Sequence, residues 1–415
     1  MKIIPFELRK MFGSNIFKAL VIGVFVLISL YYAITYINSE KIMGNQVISE
    51  QNTIDVNEEH IQSFQALMNS DQVSDEEAEK YEVEIEMFEK LKDDAQKRLD
   101  GLDENEWGLV LETHIDDLET LIDQASQFTH SSSGRSVFTL ESHVSQLKQL
   151  KERNIEPVFP IDYSTTIYDQ FDSAESKEAA EIASEQYSAD SLFFQMKLYD
   201  LAFGTVGVLF FILLFANMIS KEGYRNGGPI NLLHTQPFKR WKLYVAKFVA
   251  SLMVVMAVMI GVMFLSVLLG FTFDRIGDWN YPILKYEKEQ SFSFLNLGTL
   301  LLQSIILFLI VVIFSISLYF LISMFIKNTI GSIAGIAMFF LIGIGFAQQS
   351  FLSHVAHWNP FSYFPVVAVI RQEKSALLDN WDVTFGFGSW LLLASTLLIW
   401  VIICLCFFVR KNRTV

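Results

Sequence analysis

Few residues in this chain are typed and spaced for bond-making chemistry. Cys404 and Cys406 stand two apart inside an apolar stretch, and the seven histidines are scattered. Neither set has the spacing of a zinc site or a disulfide framework, so both cysteines read as small lipid-side or core residues. His354 and His357 are near neighbours, but without an acidic or cysteine companion two histidines make no metal site. The sequence holds no H-E-x-x-H, whose two histidines bind zinc from one helix face. It also holds no G-x-x-x-x-G-K-[ST], whose backbone amides and lysine cradle nucleotide phosphates. Acids do cluster, as at Asp75, Glu76, Glu77 and Glu79. Without a D-x-D-x-[DN]-G loop, a solvated helix face accounts for them better than calcium binding does. The sequence therefore offers no catalytic residue, no metal ligand and no cofactor site of its own.

What it offers instead is a division of materials. The 415 residues carry 31 bases against 46 acids, a net charge of −15, yet 52% are hydrophobic and 37 are phenylalanine. That balance argues against a disordered chain or a nucleic-acid partner. The segment from Asn38 to Asp200 holds 37 acids and 12 bases, leaving 9 acids and 19 bases elsewhere. Apolar runs able to cross about 30 Å of hydrocarbon need roughly 20 helical residues. Such runs lie at residues 19–37, 201–219, 249–270, 297–323, 330–348 and 388–409. The first is longer than the apolar core of a secretion signal and lacks a clear small-x-small site after it, so it reads as a retained anchor. The predicted fold is an all-α polytopic membrane protein with six transmembrane helices and a large helical extracellular domain between helices one and two.

As drawn, these runs contain no Asp, Glu, Lys, Arg or His. Proton relays and ion-coupled carriers need such groups at membrane depth, so secondary transport is disfavoured, and intramembrane proteolysis with it. Orientation follows from the bases on the flanks. Lys2, Arg9, Lys10 and Lys18 precede the first run, and six bases lie between runs two and three. Lys327 follows the fourth, and Arg410, Lys411 and Arg413 follow the last. Cytoplasmic loops retain positive charge, so both termini are expected in the cytoplasm of a multi-pass cell-membrane protein, with the acidic segment outside.

Within residues 38–200 the pattern is helical. Ser74 with Glu77, and Asp103 with Glu106, have capping-box spacing. Apolar residues recur at Tyr81, Ile85, Phe88, Ala95 and Leu99, then at Trp107, Leu111, Leu118, Ile122 and Ala125, with Gly101 as the expected terminator between two antiparallel helices. Another helix is expected over Phe138 to Arg153, before a loop broken by Pro157 and Pro160. From Asp172 a helical pattern is expected to run without interruption into the second span.

The segment between runs two and three, residues 220–247, is the sizeable cytoplasmic feature. It carries an acid, a glycine-containing turn, a Leu-Leu pair, a proline, bases and a lysine opening the third span: Glu222, Gly227, Leu232, Leu233, Pro237, Arg240 and Lys247. This order resembles the permeases of type-two ABC exporters, although Pro229 departs from it. The N-terminal stretch, residues 1–18, is similar to that family's interfacial entry helix. Pro5 stands at a first helical position and Ile4, Leu8, Met11 and Phe12 share one face. Asn359-Pro-Phe is similar to a segment found before the last span of such permeases.

The resemblance covers residues 1–37 and 201–415 and implies the following roles. The helix after Glu222 would be a coupling helix docking on a separate cytosolic ABC ATPase subunit, which would bring the ATP and magnesium. A second permease, identical or similar, would complete the path. Lys239, Arg240 and Lys242 read as headgroup anchors of the third span. Gln303, Ser304, Ser315 and Ser317 either line a path or are polar residues satisfied between helices. Trp358, Phe361, Tyr363 and Phe364 either sit at headgroup level or form an outer gate. Gly331 and Gly335 permit close helix approach, as a dimer seam or as ordinary packing. The expected function is export of an amphipathic lipid, peptide or antimicrobial, with the acidic domain contacting substrate or an extracellular partner. The alternative is an envelope sensor or scaffold whose outer domain binds a ligand or cell-wall component and relays a signal.

Overall fold

The computed structural model describes residues 3–69, 74–127, 134–220, 240–326 and 328–412. The chain divides into two compact units, Met1–Tyr32 with Asp190–Val415, and Ala33–Ala189. It is an all-α polytopic membrane protein. Among the described residues, five helices are long and apolar enough to cross a bilayer, or six if one bent pair counts as a single span.

The first unit opens with α1 (Ile3–Phe12) and the beginning of α2 (Asn15–Met68), a helix that contributes to both units. Its later elements are α7 (Ser191–Ala202), α8 (Thr205–Ser220), α9 (Arg240–Phe273), α10 (Leu297–Phe325), α11 (Thr329–Gln348) and α14 (Phe385–Asn412). Between α9 and α10 lies a hairpin of β1 (Pro282–Tyr286) and β2 (Phe292–Asn296), paired antiparallel from Pro282 opposite Asn296 to Tyr286 opposite Phe292. It turns through left-handed Glu289 and Gln290, a conformation for which the sequence offers no glycine signal. Tyr286 N–H donates to Arg371 O, 2.9 Å, and Arg371 Nε donates to Leu284 O, 3.3 Å, tying the hairpin to the segment before the last span. That segment folds as 3₁₀ turns at Ser350–Trp358 and Pro360–Tyr363, then α12 (Val366–Ile370) and α13 (Glu373–Leu378).

Three expectations are corrected here. The second span is not one rod from Leu201. α7 and α8 meet at 73° around Phe203 and Gly204, and the first arm brings in Lys197 and Asp200. Phe203 leaves helical geometry at φ −85°, ψ 62°, and its carbonyl accepts Val366 N–H at 3.4 Å. Nor does the helix from Asp172 continue into this span. Ser173 caps α6 (Ala174–Ala183), and the chain then runs extended, Tyr187 N–H donating to Phe159 O at 2.9 Å, before Asp190 caps α7 through Phe193 N–H at 2.7 Å. In α1 the buried line is Glu7 and Met11. Ile4 and Leu8 are half-buried and Phe12 is exposed, because α1 packs on α9 with the face that carries the glutamate.

The second unit is built on the rest of α2 with α3 (Asp75–Glu104), α4 (Trp107–Gln127), α5 (Val137–Arg153) and α6. Ser74 and Glu77 form the capping box at the start of α3. The helix does not stop at Gly101, however, and Asp103 caps nothing. It ends at Asn105, whose φ of 58° is the left-handed conformation asparagine tolerates best after glycine. Gly101 is instead a notch inside α3, since a Cβ there would strike the Val110 side chain of α4. Leu111, Leu118, Leu140, Leu147 and Leu150 pack between α4 and α5.

Candidate functional site

α10 is the most deeply packed span, and its sequence gives different faces to different neighbours. At 3.6 residues per turn, Ser304, Phe308, Ser315 and Tyr319 fall within about 60° of one another. This face meets the broken span. Phe308 stacks on Phe203 with ring centroids 4.2 Å apart, and Phe203 stacks in turn on Tyr199 at 4.0 Å. Gly207 of α8 lies against the Phe308 ring. On another face Phe320 meets Tyr244 and Phe248 of α9, both edge-on at 6.0 Å. Phe248 also meets Trp400 of α14 at 4.8 Å, and Tyr244 meets Phe407 at 4.9 Å. Five rings thus fasten the start of α9 to α10 and α14. On a third face Phe314 meets Phe361, 5.9 Å away.

The residues expected to line a path separate on inspection. Ser315 is buried and donates to Val311 O at 2.7 Å, an internal bond of its own helix. Ser304 is buried with no hydrogen-bond partner, and Gln303 is half-buried. Ser317, on another face, donates to Ile313 O at 2.8 Å and accepts from Trp400 Nε1 at 3.1 Å.

The aromatic group before the last span is mostly interior. Phe361, Tyr363 and Phe364 are buried, so rings at headgroup level describe only exposed Trp358. The cause is the Asn-Pro-Phe turn. Asn359 Oδ1 accepts Phe361 N–H at 3.0 Å and Asn359 Nδ2 donates to Gly343 O at 2.9 Å. This clip presses the Phe361 ring into the notch left by Gly343 of α11, and the Tyr363 ring fills the one left by Gly388 of α14. Tyr363 Oη donates to His357 O at 2.8 Å. His357 Nδ1 faces Asn380 Nδ2 at 3.2 Å, an amide partner and no metal companion.

Gly331 and Gly335 face Ile326 near the turn between α10 and α11. The docking residues Glu222, Gly227, Leu232, Leu233 and Pro237 lie outside the described residues, as do Lys239 and the side chain of Arg240. Lys247 is buried on the second turn of α9.

Sequence spacing missed a polar cluster inside the second unit. Asp162 takes a bond from His114 Nδ1 at 2.8 Å and another from Gln46 Nε2 at 3.0 Å. Gln46 Nε2 also donates to Glu50 Oε1, and Arg98 bridges Glu50 at 2.9 Å and Asp117 at 3.2 Å. Arg135 lies over the Tyr163 ring at 4.6 Å. His143 is buried beside this group. Burial first, then the charge of Arg135, pushes its imidazole down to about 4. Burial works to raise the Asp162 carboxyl, but the bonds from His114 and Gln46 prevail and hold it below its usual value. The partners come from α2, α3, α4, α5 and the loop after α5, too far apart in sequence to show as a motif. Only the isolated histidines at helical positions 114 and 143 hinted at them.

A family model described as ABC-2 family transporter protein matches residues 17–408. No curated protein and no solved structure matches the chain.

Proposed function

The chain belongs to the ABC-2 family of transporter proteins, and from that premise we propose that it is a permease subunit exporting an amphipathic substrate: a lipid, peptide or antimicrobial. Membership of this family implies a membrane location and an ATPase partner. The observation that carries the export reading is the emptiness of the spans. α10 and α11 contain no ionisable side chain, and in α9 and α14 the bases stand near one end. Among the described residues, Lys197 and Asp200 on the first arm of the broken span are the exception. The continuous spans from α9 onward offer no site for ion coupling away from their ends, which supports a driving force arriving from a separate subunit.

Residues 220–247 are its proposed entry point, with Glu222, Gly227, Leu232, Leu233 and Pro237 on a coupling helix and both chain termini on the same, cytoplasmic side. The ring cluster of Tyr244, Phe248, Phe320, Trp400 and Phe407 supports this reading. It makes the first turns of α9 rigid with α10 and α14, so a push on the preceding loop would move three helices together. Two copies of this chain, or one with a similar permease, would enclose the path. Residues 38–200 would stand outside the cell and contact substrate or a partner, and Trp358, Phe361, Tyr363 and Phe364 would close the outer end.

The test is co-purification of the full chain with an ABC ATPase subunit from mild detergent. Glu222→Arg and Leu233→Asp should each weaken that association while leaving membrane insertion intact, since neither lies in a span. Undiminished association in both variants would remove the coupling role. The competing reading, an envelope sensor or scaffold, draws support from the separate polar core of the second unit. It is distinguished by replacing the phosphate-binding lysine of the ATPase, which abolishes export but leaves a sensor working.

A further inference from the structure

A buried hydroxyl without a partner inside a membrane protein marks a place where something else must supply one, because hydrocarbon offers neither donor nor acceptor. Among the described residues, Tyr199 Oη, Ser251 Oγ, Ser304 Oγ and Tyr319 Oη are such groups. Ser251 stands apart on α9, while Tyr199 and Ser304 lie where α10 meets the broken span and Tyr319 follows on the same face of α10. Ser304 and Tyr319 share the face of Phe308, which stacks on Phe203, and Tyr199 stacks on the same Phe203. Both arms of the broken span, α7 and α8, pack on α10. Tyr199 precedes Phe203 by four residues and Ser304 precedes Phe308 by four. Each hydroxyl thus belongs to the residue one helical turn before one of the two stacked rings, Phe203 and Phe308. Tyr319 follows Phe308 by eleven residues, about 17 Å further along the helix.

Missing partners are not a general property of this helix. Ser315 is satisfied by Val311 O, and Ser317 by Ile313 O and Trp400. We propose that the interface between α10 and the broken span is a hydrated seam, a binding site for water and other uncharged hydrogen-bonding groups, held by Tyr199, Ser304 and Tyr319. Three neutral hydroxyls can donate and accept but cannot balance an ion, which sets the ligand class. The wall opposite α10 is broken at Phe203 and Gly204, so one side of the seam is not a continuous helix. The proposal goes beyond the permease reading and needs from it only that α10 lies in a bilayer.

The experiment uses the full chain in lipid vesicles, with Cys404→Ala and Cys406→Ala removing the native thiols. Single cysteines are then placed by Ser304→Cys, by Ser317→Cys on the satisfied face, and by Leu302→Cys on an exposed apolar face. The probe is 2-aminoethyl methanethiosulfonate, which reacts with the thiolate and so requires water at the sulfur. Ser304→Cys should react about tenfold faster than either control, because only that site faces the seam. Adding Tyr199→Phe, which removes one hydroxyl of the seam, should slow it several-fold. A rate at position 304 no higher than at 317, or one indifferent to Tyr199→Phe, overturns the seam and leaves the permease reading standing. Fast reaction at all three positions would place α10 outside a bilayer and overturn both.

Discussion

Trp400 donates its indole N–H to Ser317 Oγ across 3.1 Å, joining the last span to the central one through a serine that already donates to Ile313 O. Removing the indole donor therefore strands no serine. Trp400→Phe should cost only about 1 kcal/mol, the usual scale of one interhelical bond in a membrane. Trp400→Ala should cost more, because Phe248 also loses its edge contact. Thermal unfolding of the detergent-solubilised chain would show this as two graded drops in midpoint.

His143 makes the second unit sensitive to acid. Its folded-state value, about 4, lies below the ordinary 6.5, so the unfolded chain binds the proton more tightly. Stability is then full above 6.5 and declines as pH falls from 6.5 towards 4, by up to about 3 kcal/mol. Asp162 has its value depressed as well, so its contribution disappears at still lower pH, below 3.8. Hydrogen exchange of α5 amides measured between pH 7.5 and 4 should speed up across the histidine window, and His143→Leu should flatten that slope.

Arg98 and Glu50 form a shielded ion pair at 2.9 Å, their side chains only 11% and 7% exposed. Arg98→Met leaves Glu50 charged and uncompensated, at a cost of about 3–5 kcal/mol. Combining it with Glu50→Leu should recover much of that loss. Limited proteolysis of α2 and α3 reports the difference, and a double variant as labile as the single one would contradict it.

Glycine notches give a paired comparison. Gly388→Ala places a methyl in the Tyr363 ring and Gly343→Ala places one in the Phe361 ring, whereas Gly345→Ala meets nothing within 4 Å. The first two should cost about 1–3 kcal/mol through overpacking, and the third should be neutral or slightly stabilising. Folded yield after membrane extraction separates them.

The polytopic all-α plan was legible because a run of apolar residues is a local property, as in Leu297 to Ser323. The capping box at Ser74 and Glu77 was local too. What stayed hidden depended on distant neighbours. Gly101 looked like a stop and is a notch, because Val110 of the next helix fills the space a Cβ would need. The break at Phe203 was invisible because the N–H that donates to its carbonyl belongs to Val366, far along the chain. The aromatic group around Phe361 could be found by composition, but its interior position depends on Asn359 gripping Gly343. Ser304 and Ser315 look alike in sequence, and only the tertiary structure separates the partnered hydroxyl from the unpartnered one.

The 73° elbow between α7 and α8 leaves length in reserve. Their 12 and 16 residues would reach roughly 42 Å if straight, but with α8 upright the bent pair spans only about 29 Å, close to the thickness of the oil layer. Unbending would therefore drive one end of this helix about 13 Å out of the hydrocarbon, a stroke available without stretching any neighbouring rod.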